Sequence, residues 1–148
     1  MVTQDQDLQL CFPAFLALRP HLPSLTAFME QVHRQALQGY QIVALKIDGR
    51  IPCVAGFRIN EFLAWGRILY IDDLSTVHEA RQHGHANMLI DWLIAHGTAQ
   101  NCTALHLDTG YTRFDAHRLY LRKGFQLSSH HMTLQLPLNQ YGRVSSIS

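Results

Sequence analysis

The chain has 148 residues, 47% of them hydrophobic, and a formal net charge of +1. That length suits one domain over residues 1–148, with a core that needs no disulfide or metal staple. The near-neutral balance supplies no basic field for nucleic acid and no acidic one for cationic partners, so any partner has to be chosen by a local site. Cys11, Cys53 and Cys102 are odd in number and sit in apolar segments, which reads as reduced thiols and a cytoplasmic setting. No charged N-terminal region precedes an apolar run, and Pro13, Pro20 and Pro23 interrupt the apolar stretches; neither a leader nor a membrane span is expected.

In chain order, residues 6–11 suit a short opening strand, and residues 13–18 and 24–37 read as two helices. In the second, Leu25, Phe28, Met29, Val32 and Ala36 fall on one face and Ser24 stands ready as its cap. Residues 40–47 and 51–59 are apolar-rich and joined by Asp48-Gly49, a strong hairpin signal that implies antiparallel pairing. Pro52 lies near the start of its strand, where a missing N–H is tolerated. Gly56 marks a bulge, a close approach by another group or, as the commoner cause, plain packing. Residues 60–66, with Glu61, Phe62 and Trp65, read as a loop.

A strand over residues 67–77 follows, rich in β-branched and aromatic residues, and then the turn Arg81-Gln82-His83-Gly84-His85-Ala86. The helix behind it carries Ala86, Leu89, Ile90, Leu93 and Ile94 at helical spacing, with Gly97 as its stop. Residues 103–108 form the next strand, parallel to the previous one through a crossover. Thr112-x-x-Asp115 resembles a capping box opening a helix that ends at Gly124. Residues 126–127 and 131–136 read as two closing strands, and residues 139–148 as a flexible polar tail.

The glycine-bearing turn is the chemically informative stretch. A strand–turn–helix of this kind aims free backbone N–H groups, together with the positive end of the helix dipole, at whatever lies above the helix start, which makes a seat for phosphate. The sequence holds ten histidines, but no His-Glu-x-x-His helix is present, the cysteines lie away from His83-x-His85 and His130-His131, and no metal site is expected.

Arg81, Gly84 and Ala86 match the pattern of Arg or Gln, two residues, Gly, one residue, then Gly or Ala. Ala116, Tyr120, Gly124 and Phe125 match an Ala-x-x-x-Tyr helix running into Gly-Phe. In this order and on these elements, the two motifs resemble the GNAT superfamily of acetyl-CoA-dependent N-acetyltransferases, over roughly residues 69–125. The resemblance implies an α/β (α+β) fold, with a mixed, mostly antiparallel sheet of about six or seven strands, one central parallel pair, and about four flanking helices.

It also implies acetyl-CoA as cosubstrate, an amine in a small molecule or peptide as acceptor, and a possible homodimer. Arg81, Gln82, His83, Gly84, His85 and Ala86 would hold the pyrophosphate. Backbone groups of Leu74, Ser75, Thr76 and Val77 would hold the pantetheine arm, with an N–H near Leu74 or Ser75 facing the thioester oxygen. His83 and His85 replace residues common in the family, so the backbone contribution is the one carried over. Arg113 stands where many relatives have asparagine; it reaches either phosphate or solvent.

Acyl transfer to an amine also needs a proton donor for the leaving thiolate and a route for the amine's proton. Tyr120 matches the family's acid; its alternative role is aromatic packing. Asp73 is the preferred base, ahead of Asp72 and Glu61, since two adjacent acids alternate across a strand and only one faces the cleft. A carboxylate there serves equally by binding the ammonium. Two other readings are a CoA-binding sensor without turnover and a Rossmann-like nucleotide binder. The second conflicts with the antiparallel hairpin ahead of the turn and the missing glycine triplet.

Overall fold

A computed structural model describes residues 1–137. Two helices, α1 (Asp5–Leu18) and α2 (Leu25–Ala36), precede three antiparallel strands, β1 (Gln41–Ile47), β2 (Arg50–Phe62) and β3 (Gly66–Thr76). Helix α3 (His85–Ala99) then returns the chain to β4 (Ala104–Leu107), which pairs parallel to β3, and α4 (Phe114–Arg122) follows. Among the described residues the sheet has four strands in the order β1-β2-β3-β4.

The alternation of side chains across the strands divides the core in two. Ile42, Ile51 and Val54 face α1 and α2, where they pack with Leu8, Cys11, Phe15, Phe28 and Val32. Val43, Cys53, Ala55, Phe57, Leu69 and Ile71 face α3 and its Leu89, Ile90 and Leu93. The sheet is therefore buried between helical layers, and the β3–β4 pair lies on the side from which α3 and α4 depart. The two most buried cysteines sit one in each layer, and all three thiols are free.

Several expectations from sequence are corrected. Residues 6–11 belong to α1 rather than to a strand: Leu8, Cys11, Ala14 and Phe15 are buried at helical spacing, and Asp5 and Asp7 suit the positive end of the dipole. Pro13 lies within this helix with its ring exposed, where water can meet the carbonyl left without a donor. β2 runs on to Phe62, so the expected loop shrinks to a turn before β3.

Gly97 does not stop α3. It is buried inside the helix, where a Cβ would meet Leu105 Cδ1 at 3.0 Å, so its smallness serves close packing on β4. The capping box does not form, since Arg113 is the N-cap of α4 and makes no side-chain cap bond. Residues 126–137 carry no strand. A four-residue β4 presents little edge to pair with, and Leu127, Met132, Leu134 and Leu136 stay 77–90% exposed. The tail at 139–148 lies outside the described residues.

Other expectations hold. Ser24 Oγ accepts from Ala27 N at 3.1 Å, and Phe28 and Val32 of α2 are buried. The Asp48-Gly49 turn joins β1 to β2 with both residues at positive φ. Gly124, at φ 90°, ends α4, and Phe125 N returns to Tyr120 O at 3.0 Å.

Candidate functional site

Three features converge where β3 outruns β4. The first is the turn ahead of α3. A short 3-10 turn (His78–Ala80) leads to Arg81, which is extended, and then to Gln82 and Gly84 at φ 64° and 79°, both left-handed. A Cβ on Gly84 would meet nothing within 4 Å, so it is the left-handed φ that calls for glycine here.

Gly84 caps the helix, and the first helical bond runs from Met88 N to Gly84 O at 3.1 Å. Among the described residues the backbone N–H groups of Gln82 to Asn87 donate to no protein acceptor. They are the orphan donors of a helix start, joined to a left-handed turn, which is the geometry that binds anions. Ala86 is half-buried against the core beneath them.

Side chains frame the turn. Arg81 is exposed, with its Nε 3.5 Å from Thr76 O, so it braces the end of β3 loosely and stays available to solvent. His83 Nδ1 donates to Arg81 O at 2.7 Å, and the His83 and His85 rings stack at 5.8 Å. His85 Nδ1 is buried without a partner.

The second feature is the free edge of β3. β4 pairs with residues 68–71 only, whereas β2 follows β3 to Thr76. Val77 N donates to Pro52 O at 2.9 Å, and its carbonyl accepts from Ala80 N, so the backbone of Val77 is already engaged. Hydrogen-bonded and non-hydrogen-bonded pairs alternate along an antiparallel ladder, so Ser75 faces β2 while Leu74 and Thr76 turn their N–H and C=O groups toward the side that β4 leaves open. Ser75 is buried, and Thr76 Oγ1 donates to Cys53 Sγ at 3.1 Å.

The third feature is a bulge. Gly56 pairs with Asp73 and Phe57 with Ile71, which leaves Asp72 as the extra residue on β3. The bulge cancels the expected alternation. Asp72 and Asp73 both line one cavity of about 430 Å³ between the sheet and α1–α2, together with Arg19, Tyr40 and Tyr70. The expectation that only one acid faces the cleft is thereby corrected. Glu61 stands far down β2, is exposed and does not line the cavity.

Within this cavity Asp73 accepts from Tyr40 OH at 2.8 Å and from Arg19 Nε at 3.0 Å. Asp72 Oδ2 accepts from Arg58 Nε at 2.8 Å, while its Oδ1 is buried without a partner. Removal from water pushes the Asp72 carboxyl above the usual carboxylate range, against the pull of Arg58. Burial likewise raises Tyr40, and the charge and hydrogen bond of Asp73 add to it, so its phenol remains a donor. The Arg58 guanidinium also lies 5.3 Å over the Tyr40 ring. Sequence reasoning missed Arg19, Tyr40 and Arg58; the signal for Arg58 was its even spacing from Gly56, which puts both on the same face of β2.

Tyr120 lies on the opposite face. It is half-buried on α4 and packs against the core between the sheet and α3, with its ring 5.6 Å from Phe125. Burial raises its pKa, while the charge of Arg113 at the helix start pulls it down and Cys53 pushes it up. Arg113 is exposed at the N-cap of α4. Leu74, Thr76 and the turn thus lie along the open edge of β3, with Tyr120 packed on the α3 side of the sheet and Asp72 and Asp73 reached from the other face.

Comparison with known proteins accords with this geometry. The family model described as Acetyltransferase (GNAT) family matches residues 6–125. A curated relative, an uncharacterized N-acetyltransferase YhdJ of Bacillus subtilis (strain 168), is 26% identical over 130 residues, covering 87% of this chain and 92% of its own. Among solved structures, a ribosomal-protein-alanine N-acetyltransferase from Brucella melitensis biovar Abortus 2308 superposes with a TM-score of 0.78 at 16% identity, over 90% of this chain and 96% of that one. The aminoglycoside N-acetyltransferase AAC(6')-Iy in complex with CoA superposes with a TM-score of 0.77 at 17% identity, over 90% and 91%. With a family model spanning most of its length, the chain belongs to the acetyltransferase (GNAT) family and is an N-acetyltransferase.

Proposed function

We propose that this protein transfers an acetyl group from acetyl-CoA to a primary amine of a small molecule or peptide, by direct attack with both substrates bound. The observation that carries the reading is the run of unpartnered N–H groups from Gln82 to Asn87 at the start of α3, continuous with the free edge of β3. Acetyl-CoA supplies the activated acyl group as a thioester, and a CoA-bound neighbour of the same fold supports that choice of cosubstrate.

The residues divide the work by position. The turn from Arg81 to Ala86 holds the diphosphate through backbone donors, and exposed Arg81 and Arg113 add positive charge. Leu74 and Thr76 offer the arm backbone groups as a neighbouring strand would, and the Leu74 N–H is the donor placed for the charge that develops on the acyl oxygen. Tyr120, kept protonated by its burial, gives the departing sulfur its proton.

Asp73 receives the acceptor's ammonium. Both its oxygens are already engaged, with Arg19 and Tyr40; a substrate ammonium that replaces the Arg19 cation keeps the carboxylate's charge paired, whereas a proton taken up there would leave Arg19 without its counter-charge. The test is an amine panel assayed for thiol release from acetyl-CoA, run beside a CoA-binding titration. Saturable binding with amine-dependent release supports the reading. Saturable binding with no release from any amine would replace it with a CoA sensor.

A further inference from the structure

A second set of polar side chains opens from the same cavity and has no role in holding CoA. Tyr70, on β3 two residues before Asp72, lines the cavity beside Asp72 and Asp73. Its hydroxyl donates to Asp108 Oδ2, just beyond β4, and His131 Nδ1 lies 3.2 Å from that same oxygen. Exposure rises outward along this path: Tyr70 is half-buried, the Asp108 side chain is 51% exposed and that of His131 65%.

From this juxtaposition we infer that Tyr70, Asp108 and His131 form a relay that carries the acceptor's proton from the cavity to solvent. The inference rests on the acyl-transfer reading above and supplies the step that reading leaves open, the path by which a proton leaves the cavity; Asp73 is engaged by Arg19 and Tyr40, and Asp72 by Arg58 through Oδ2 alone. The ammonium of the acceptor gives one proton to the Tyr70 oxygen as Tyr70 passes its own to Asp108. His131 takes that proton from Asp108 onto Nδ1 and releases one to water. The amine is left neutral with its lone pair free to attack, and the positive charge has moved from the cavity to the surface.

The chemistry of each member suits its place. Burial, then the hydrogen bond and charge of Asp108, then the charge of Asp72, all raise the Tyr70 pKa. Tyr70 therefore does not persist as a phenolate and passes a proton only as it receives another. An imidazole is the side chain whose charge changes between about pH 5 and 8, so it suits the outermost position. The other titratable neighbour is His106, paired in register with Tyr70 and held against Trp65 at 4.7 Å.

The relay is tested with an amine found to turn over in the thiol-release assay, using His131→Ala, Asp108→Asn and Tyr70→Phe. His131 is largely exposed, so its replacement leaves folding intact, which Tm and the CoA titration check. The expected result for His131→Ala is a fall in kcat/KM of about 10²-fold near pH 7 and partial rescue by added imidazole. Asp108→Asn should fall equally and resist rescue. Wild-type turnover with no imidazole effect in His131→Ala would overturn the relay and leave acyl transfer standing. No thiol release by wild type from any amine would overturn acyl transfer and the relay with it.

Discussion

Gly56→Ala should be among the most damaging small substitutions in the chain, because it strikes a point where core packing meets the cavity that holds Asp72 and Asp73. A Cβ at this position would lie 1.8 Å from Tyr40 Oη, 2.4 Å from Cζ and 2.7 Å from Cε2, where non-bonded carbons settle at about 3.5–4.0 Å. Tyr40 is only 5% exposed, so its ring has no free space to enter and must shift by about 1–2 Å. Overpacking of this kind costs about 1–3 kcal/mol. Breaking the Tyr40–Asp73 bond, whose acceptor is charged, removes about 1.5–3 kcal/mol more. Together these give about 2.5–6 kcal/mol, or a fall in Tm of about 5–24 °C for a chain of this size.

Chemical denaturation of Gly56→Ala, Tyr40→Ala and the double variant measures both the cost and its origin. Tyr40→Ala opens the space that the new methyl needs, so in that background Gly56→Ala should cost less than about 1 kcal/mol, a strongly non-additive cycle. CoA binding should survive in any variant that remains folded, since the turn and the free edge of β3 lie elsewhere. If Gly56→Ala denatures within about 0.5 kcal/mol of wild type, or costs the same with and without the Tyr40 ring, the packing argument is wrong.

Two further outcomes follow from the two faces of the sheet. Tyr120→Phe should lower kcat by about 10²-fold or more while leaving the CoA Kd unchanged, because the hydroxyl is assigned to proton donation and the ring to packing; an unaltered kcat in steady-state thiol release would remove Tyr120 from the chemistry. Burial pushes Cys53 up to about 11 and Cys11 up to about 12, from 9.0. The folded protein thus keeps these thiols protonated where the unfolded chain ionises them, so their contribution is complete below about pH 9 and declines as pH rises toward the folded values. Urea midpoints should fall between pH 8.5 and about 11, less steeply in Cys53→Ala, and a slope identical in that variant would contradict the assignment.

What the sequence disclosed and what it hid follow from the range of the interactions involved. The hairpin at Asp48-Gly49, the Ser24 cap, the glycine-bearing turn between strand and helix and the Gly124 stop were legible because each depends on neighbours a few residues away. α1 was misread because Pro13 signals a helix boundary locally, while burial of Leu8, Cys11 and Phe15 against the sheet overrides it. Gly97 was misread likewise: a stop signal by position, it is a contact with Leu105 and Leu69 from other strands. The cavity around Asp72 and Asp73 was the least legible part. Its alternation is reset by a bulge, and its partners Arg19, Tyr40 and Arg58 lie 54, 33 and 14 residues from the aspartates they hold.

The central claim is that the backbone donors between Gln82 and Asn87 grip the diphosphate of coenzyme A. The most direct measurement is an amide chemical-shift titration of the labelled protein with coenzyme A, with no acceptor present. The account predicts saturable shifts concentrated at residues 82–87, with a second group at Leu74 and Thr76, and little change at Asp72, Asp73 and Arg19. Saturable shifts confined to other residues, or none at any concentration of coenzyme A, would contradict it.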